Sequence, residues 1–256
     1  MKNSVWVAMV TGVVILCAGC ATQREVATVF VAAKQDVAVA KQEAVAAVQA
    51  LDKDVLAFDG FDGKLGLTWE IKNPDPTHYS LTKKPGTLTI TSQVGGFGHA
   101  GTDYKNLFFI DCPTVPAGKD LQATARVVNF KPTGNWSQAG LLFWNDEDNC
   151  LKWDLEWSAR RMLMAIGETK SEWSFQQGYD APEDTGDLWL RVIKHADRYT
   201  FQTSADGKSF TTCGDKTWGD GNVKEIGIYA KNGPGSEASE VDASFDSFEL
   251  RAVPAQ

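Results

Sequence analysis

From residue 58 to residue 250 no stretch of this chain keeps a helical period for three turns. Gly and Pro interrupt it at short intervals, and the segments between them alternate apolar and polar residues. Successive side chains on a strand point to opposite faces, so this texture marks half-buried strands. Candidate strands run over residues 87–92, 107–111, 122–130, 139–144, 151–157, 162–168, 189–195, 199–204, 224–231 and 242–251. Asp206-Gly207, just after 199–204, is a hairpin-turn signal. So many strands without intervening helices exclude a βαβ layout. They predict an all-β fold, a two-sheet antiparallel sandwich over residues 56–253. Phe58 near one end of this span and Phe245, Phe248 and Leu250 near the other predict that the first and last strands pair.

The alternation is sharpest at 151–157. Leu151, Trp153, Leu155 and Trp157 point one way, and Lys152, Asp154 and Glu156 the other. Three consecutive charges exclude the second face from the core. It is either a solvated sheet surface or the floor of a polar groove. Trp144, Trp153 and Trp189 are assigned to the core. Trp189 and Arg191 share parity, so this assignment turns Arg191 inward, where it needs a carboxylate or a cleft. Asp154 or Glu156 supplies the partner if the two strands are neighbours in one sheet.

The first twenty residues have a different character. Lys2 precedes an apolar run from Val5 to Cys17, and Ala18-Gly19-Cys20 follows. This resembles a bacterial lipoprotein signal, with residues 1–19 removed and Cys20 lipidated. Cys17 stands where such signals usually carry Leu. An uncleaved anchor and an ordinary signal peptide remain the alternatives. Ala21 implies, by the same resemblance, the outer membrane. Residues 20–55 then form a stalk. Val26, Phe30, Ala33, Val37, Ala40, Ala44, Ala47 and Leu51 recur at alternating spacings of four and three, with no Gly or Pro between residues 23 and 54. That is a heptad seam on an Ala-rich helix about 45 Å long. It reads equally as a homo-oligomer contact or as a lone spacer. Cys112, Cys150 and Cys213 remain in the exported part, without zinc spacing, and read as free thiols.

Over about residues 57–252 the chain resembles a known family. Trp69-Glu70-Ile71-Lys72-Asn73-Pro74, the stretch from His78 to Leu88, Gln138-Ala139-Gly140-Leu141-Leu142-Phe143-Trp144-Asn145-Asp146 and Leu188-Trp189-Leu190-Arg191 carry the likeness. They resemble the concanavalin A-like C-terminal domain of family 43 β-xylosidases and the related domain of unknown function family 1349. The resemblance implies a jelly roll. It implies no catalysis of its own, because the xylosidase carboxylates sit on a separate propeller for which this length leaves no room. Glucanases of the same superfamily carry Glu-x-Asp-x-Glu on one strand, with the outer pair as nucleophile and acid. Lys152 occupies the corresponding first position here, which argues against that chemistry.

With 33 acidic against 25 basic residues the net charge is −8, which excludes a nucleic-acid partner that needs a basic face. Nine tryptophans stand beside three histidines. Indole rings stack on the C–H faces of sugars, whose hydroxyls bond carboxylates and Arg. The leading expectation is therefore a lipid-anchored, non-catalytic, carbohydrate-binding envelope protein. Its ligand residues are expected to be Asp154, Glu156, Arg191, Trp157, Trp173 and Trp136, with Tyr179 and Trp218 in similar loop or strand-end positions. The alternatives are a structural envelope lipoprotein that oligomerises through its stalk, and a glycoside hydrolase. His99 lies in a Gly-rich loop that could border a groove. A structural Ca²⁺ near the paired termini would use Asp59 and Asp246, with Asp62 and Asp242 nearby, although the Asp-Gly pairs at 59 and 62 also read as turns.

Overall fold

The computed structural model describes residues 52–183 and 186–255. The signal, Cys20 and the heptad segment lie outside the described residues. No helix among the described residues is long and apolar enough to cross a membrane. In chain order the strands are β1 (Val55–Asp59), β2 (Glu70–Lys72), β3 (Tyr79–Ser80), β4 (Leu88–Thr91) and β5 (Leu107–Asp111). There follow β6 (Lys119–Val128), β7 (Gln138–Asp146), β8 (Asn149–Ser158), β9 (Arg160–Thr169) and β10 (Glu172–Asp180). The last are β11 (Asp187–His195), β12 (Arg198–Ser204), β13 (Thr211–Thr217), β14 (Glu225–Lys231) and β15 (Asp242–Pro254).

These strands form two antiparallel sheets packed as a concanavalin A-like jelly roll. The eight-stranded sheet runs β13-β12-β11-β6-β15-β4-β3, with β1 also on β15. The seven-stranded sheet runs β10-β9-β8-β7-β14-β5-β2. First and last strands pair as expected, from Val55 opposite Arg251 to Asp59 opposite Phe248. The core lies between the sheets. Leu151, Trp153 and Leu155 of β8 meet Leu190 and Val192 of β11 and Phe201 of β12 there. Burying large side chains supplies most of the fold's stability. The Trp153 indole N–H donates to the Gln202 carbonyl of the opposite sheet at 3.0 Å, so the ring brings no unpaired donor inside.

Two strands depart from the simple alternation. In β15 the register with β6 shifts between Phe245 and Ser247, leaving Asp246 as an extra residue. This bulge lets Phe245 and Phe248 both enter the core although they are three positions apart, a spacing that puts side chains on opposite faces of a regular strand. In β11 the parity is opposite to the expectation. Leu188, Leu190 and Val192 face the core, while Trp189 and Arg191 face outward. Trp189 lies 4.7 Å under the Arg126 guanidinium on the outer surface. Apolar residues occupy both parities of 188–193, so alternation alone could not orient this strand. The register with β6 does, by setting Leu190 opposite Ala125 and Trp189 opposite Arg126.

The strands outside the expected set are β2, β3, β10 and β13. All four lie at sheet edges, and β10 and β13 are rich in polar residues. Their pairing partners, not their own apolar pattern, hold them extended.

Candidate functional site

The outer face of the seven-stranded sheet is divided in two. Over β5, β7 and β14 it is covered by the Gly-rich loop after β4. Phe97 and Tyr104 of that loop pack with Leu107, Phe109, Leu142, Trp144, Cys150 and Tyr229 as a second buried cluster. Trp144 is therefore buried as expected, but beneath this loop instead of between the sheets. Over β8, β9 and β10 the same face stays open as a cleft of about 300 Å³.

The floor of the cleft is charged. Lys152 of β8 bridges Asp154 at 3.1 Å and Glu156 at 2.8 Å. Its ammonium also donates to Gln138 Oε1 of β7 at 2.7 Å. Tyr229 of β14 donates to Asp154 Oδ2 at 2.6 Å and to Gln138 Oε1 at 2.9 Å. Among the described residues Asp154 Oδ1 has no hydrogen-bond partner. Burial pushes the Asp154 carboxyl up to about 6, with Lys152 opposing the shift and Glu156 adding to it. Burial works against the Lys152 charge too, but the two carboxylates outweigh it and raise its pKa.

Glu168 of β9 and Lys231 of β14 complete the floor. Burial raises the Glu168 carboxyl and draws the Lys231 ammonium down to about 8, helped by the nearby charge of Lys152. Lys231 donates to the Gly95 carbonyl at 3.2 Å and lies 5.0 Å from the Phe97 ring centroid. The backbone N–H of His99 donates to Glu168 Oε2 at 2.6 Å. Gly98, at φ 62°, permits that contact, because a Cβ there would collide with the Glu168 carboxylate.

Two indoles form the walls. Trp136 and Trp173 are 46% and 51% exposed and both line the cleft. Trp173 lies against the His99 ring, with centroids 4.8 Å apart. Gln176, on the edge strand β10, also faces in. Trp136, Trp173 and Glu156 are thus gathered as expected, and Lys152 and His99 join them.

The remaining expected residues are not gathered. Asp154 lies beneath the floor, fully buried, and does not line the cleft. Trp157 keeps the parity of Trp153 and Leu155 and so turns from the cleft side of β8. Arg191 belongs to the other sheet, where its Nε donates to Thr124 Oγ1 at 3.1 Å and its guanidinium lies 3.3 Å over the Phe210 ring. It therefore cannot meet Asp154 or Glu156. Tyr179 packs against the core. Trp218 is buried and donates its indole N–H to the Glu168 carbonyl at 2.7 Å. Gln138, Glu168, Gln176, Tyr229 and Lys231 were missed. For the last two the signal was present. Ile226, Ile228 and Ala230 alternate with Gly227, Tyr229 and Lys231, the same pattern that exposed 151–157.

The calcium expectation does not fit the side chains. The Asp59 carboxylate already accepts from the backbone N–H groups of Phe61 at 2.8 Å, Gly66 at 2.7 Å and Leu67 at 3.2 Å, and from the Trp69 indole at 2.8 Å. Asp246 pairs with Arg126 at 2.8 Å. Asp242 binds Lys83 and Thr91, each at 2.7 Å. Among the described residues no group of three or more His, Cys, Asp or Glu could hold a metal ion. Cys112, Cys150 and Cys213 are free, as expected.

A family model described as protein of unknown function (DUF1349) matches residues 81–253. The chain belongs to the DUF1349 family. This DUF1349 chain is also similar to the non-reducing end alpha-L-arabinofuranosidase BoGH43B of Bacteroides ovatus. The two are 29% identical over 207 residues, which cover 76% of this chain and 37% of the relative. Among solved structures it is similar to the GH43 protein BlXynB of Bacillus licheniformis, with a TM-score of 0.64 and 23% identity over 77% of this chain and 39% of that one. The Bacteroides ovatus xyloglucan PUL GH43B matches with the same TM-score, 25% identity and coverages of 77% and 39%. The chain thus spans well under half the length of these relatives. They correct one expectation. The expectation that the chain is not an enzyme is not upheld, because the relatives it matches are family 43 glycoside hydrolases, although the match spans only part of each.

Proposed function

We propose that the cleft on the seven-stranded sheet binds carbohydrate. The observation that carries this reading is the pairing of two half-exposed indoles, Trp136 and Trp173, across a floor of buried charges. Sugar rings present C–H faces that stack on indole. Their hydroxyls can donate to Glu156 and Glu168 and accept from Lys231. The floor is held in place by its own ion pairs and hydrogen bonds, so little ordering is left for the ligand to impose. The relatives, named for arabinofuranosidase activity and for xyloglucan, support a glycan containing arabinose or xylose.

Calorimetric titration with arabinoxylan- and xyloglucan-derived oligosaccharides tests this. Trp173→Ala is expected to weaken binding about tenfold, roughly 1.4 kcal/mol. Because Trp173 is 51% exposed, its loss is expected to change stability by no more than about 0.5 kcal/mol. Wild-type affinity in the variant would overturn the assignment. The same mixtures are followed by chromatography for released sugar, since the matched relatives are hydrolases.

We also infer that the chain is exported and lipidated at Cys20, and that it stands at the outer membrane on its heptad segment. The export-signal pattern of residues 1–20 and the seam over residues 26–51 support this. Oligomerisation through that seam belongs to the same reading.

A further inference from the structure

Trp136 stands between two clefts. On one side is the charged cleft described above. On the other is a second, of about 440 Å³, lined by Thr133, Asn135, Ser236, Glu237, Ser239 and the same indole. Its side chains are hydroxyls, an amide and a carboxylate, without the buried ion pairs of the first.

The backbone of Trp136 is at φ 68°, a left-handed conformation disfavoured for a bulky side chain. Such conformations persist only where the surroundings over-determine them. Here they do. The Trp136 N–H donates to the Trp157 carbonyl at 2.7 Å, and Gln138 Nε2 donates to the Trp136 carbonyl at 3.0 Å. Gly233 lies directly against the indole stem, where any Cβ would collide with Trp136 Cβ. The two loops that form the second cleft are joined as well. Ser236 Oγ donates to the Asn135 carbonyl at 2.8 Å, and a Cβ on Gly134 would stand only 2.6 Å from Ala238 Cβ. All this holding serves a side chain that remains 46% exposed, so core packing does not account for it.

The geometry points to one continuous binding surface that crosses Trp136 and takes a neutral oligosaccharide of at least two units. One unit occupies the charged cleft between Trp136 and Trp173. The next meets the hydroxyl and amide groups beyond Trp136. In the first cleft Glu156 and Glu168 are offset by Lys152 and Lys231, and the second cleft holds Glu237 with no cation among its lining residues, so the combined surface offers no net positive charge to an acidic sugar. This inference rests on the carbohydrate reading of the first cleft.

The test is calorimetry on the full chain with xylose-, glucose- and arabinose-based ladders of one to four units. For the ladder that binds, affinity is expected to rise at least tenfold between one unit and three. Ser239→Lys, which fills the second cleft from an exposed position, is expected to abolish that gain and leave single-unit affinity unchanged. Thr133→Arg, on the facing loop, is expected to do the same and serves where the first variant does not fold. Trp136→Ala is expected to weaken every length. Affinity independent of length, or a gain that survives both fillings, would overturn the extended surface while leaving the carbohydrate site standing. Failure of every ladder to bind would overturn both.

Discussion

Lys152 sits between two carboxylates that share its burial, and the balance among the three sets how the site responds to acid. Asp154 passes from an ordinary carboxylate value near 3.8 when unfolded to about 6 when folded, because burial disfavours its charge. Between these values the folded state holds more protons than the unfolded chain. Stability from this group is therefore fully present below about pH 4 and is lost as pH rises through about 6. Glu168, also raised by burial, adds to the same trend. Asp154→Asn keeps an acceptor for Tyr229 but cannot titrate. Urea unfolding at pH 4 and pH 7 is expected to show a smaller loss of stability with rising pH in the variant than in wild type. An identical loss in both would show that Asp154 does not carry a raised pKa. The polar face of 152, 154 and 156 was legible in the alternation. Its conversion into a buried network was not, because Tyr229 reaches Asp154 from a strand 75 residues further along the chain and Gln138 is brought to Lys152 only by the β7–β8 register.

Strand β1 was only partly visible in the sequence. Phe58 marked its end, but the pairing continues back through Val55 to the preceding turn. The Ala252 N–H donates to the Asp54 carbonyl at 2.7 Å, and Arg251 pairs with Asp52 at 2.6 Å. These contacts seal one side of β15, which also carries the core residues Phe245, Phe248 and Leu250. A chain that begins at Asp52 is expected to be more stable than one that begins at Ala57. The difference expected is about 1–3 kcal/mol, or roughly 2–10 °C in melting temperature for a domain of this size. Equal melting temperatures would mean that β1 contributes nothing to the sheet. At this scale the sequence revealed strands that bury one face on the core. It concealed β10 and β13, whose extended shape is imposed by neighbours, and it could not place the bulge at Asp246.

At the scale of the whole molecule, the loop around Phe97 decides which part of the seven-stranded sheet remains open, and Trp136 and Trp173 rise at the rim of that opening. The export reading concerns the other end of the chain. Cys20→Ser is expected to move the protein from the membrane fraction to the soluble fraction and to abolish labelling by a fatty-acid probe. Unchanged fractionation and labelling would sink the lipoprotein assignment. The sequence by itself determined the sandwich, because a two-residue period is a local property repeated along nearly every interior strand. It also singled out Trp136, Trp173 and Glu156. Only the tertiary structure decided the orientation of Trp189 and Arg191, the sheet to which each belongs, and the turn of Trp157 away from the cleft. Alternation states which side chains share a face of one strand. Which face meets the other sheet is set by register with partners that can lie a hundred residues away.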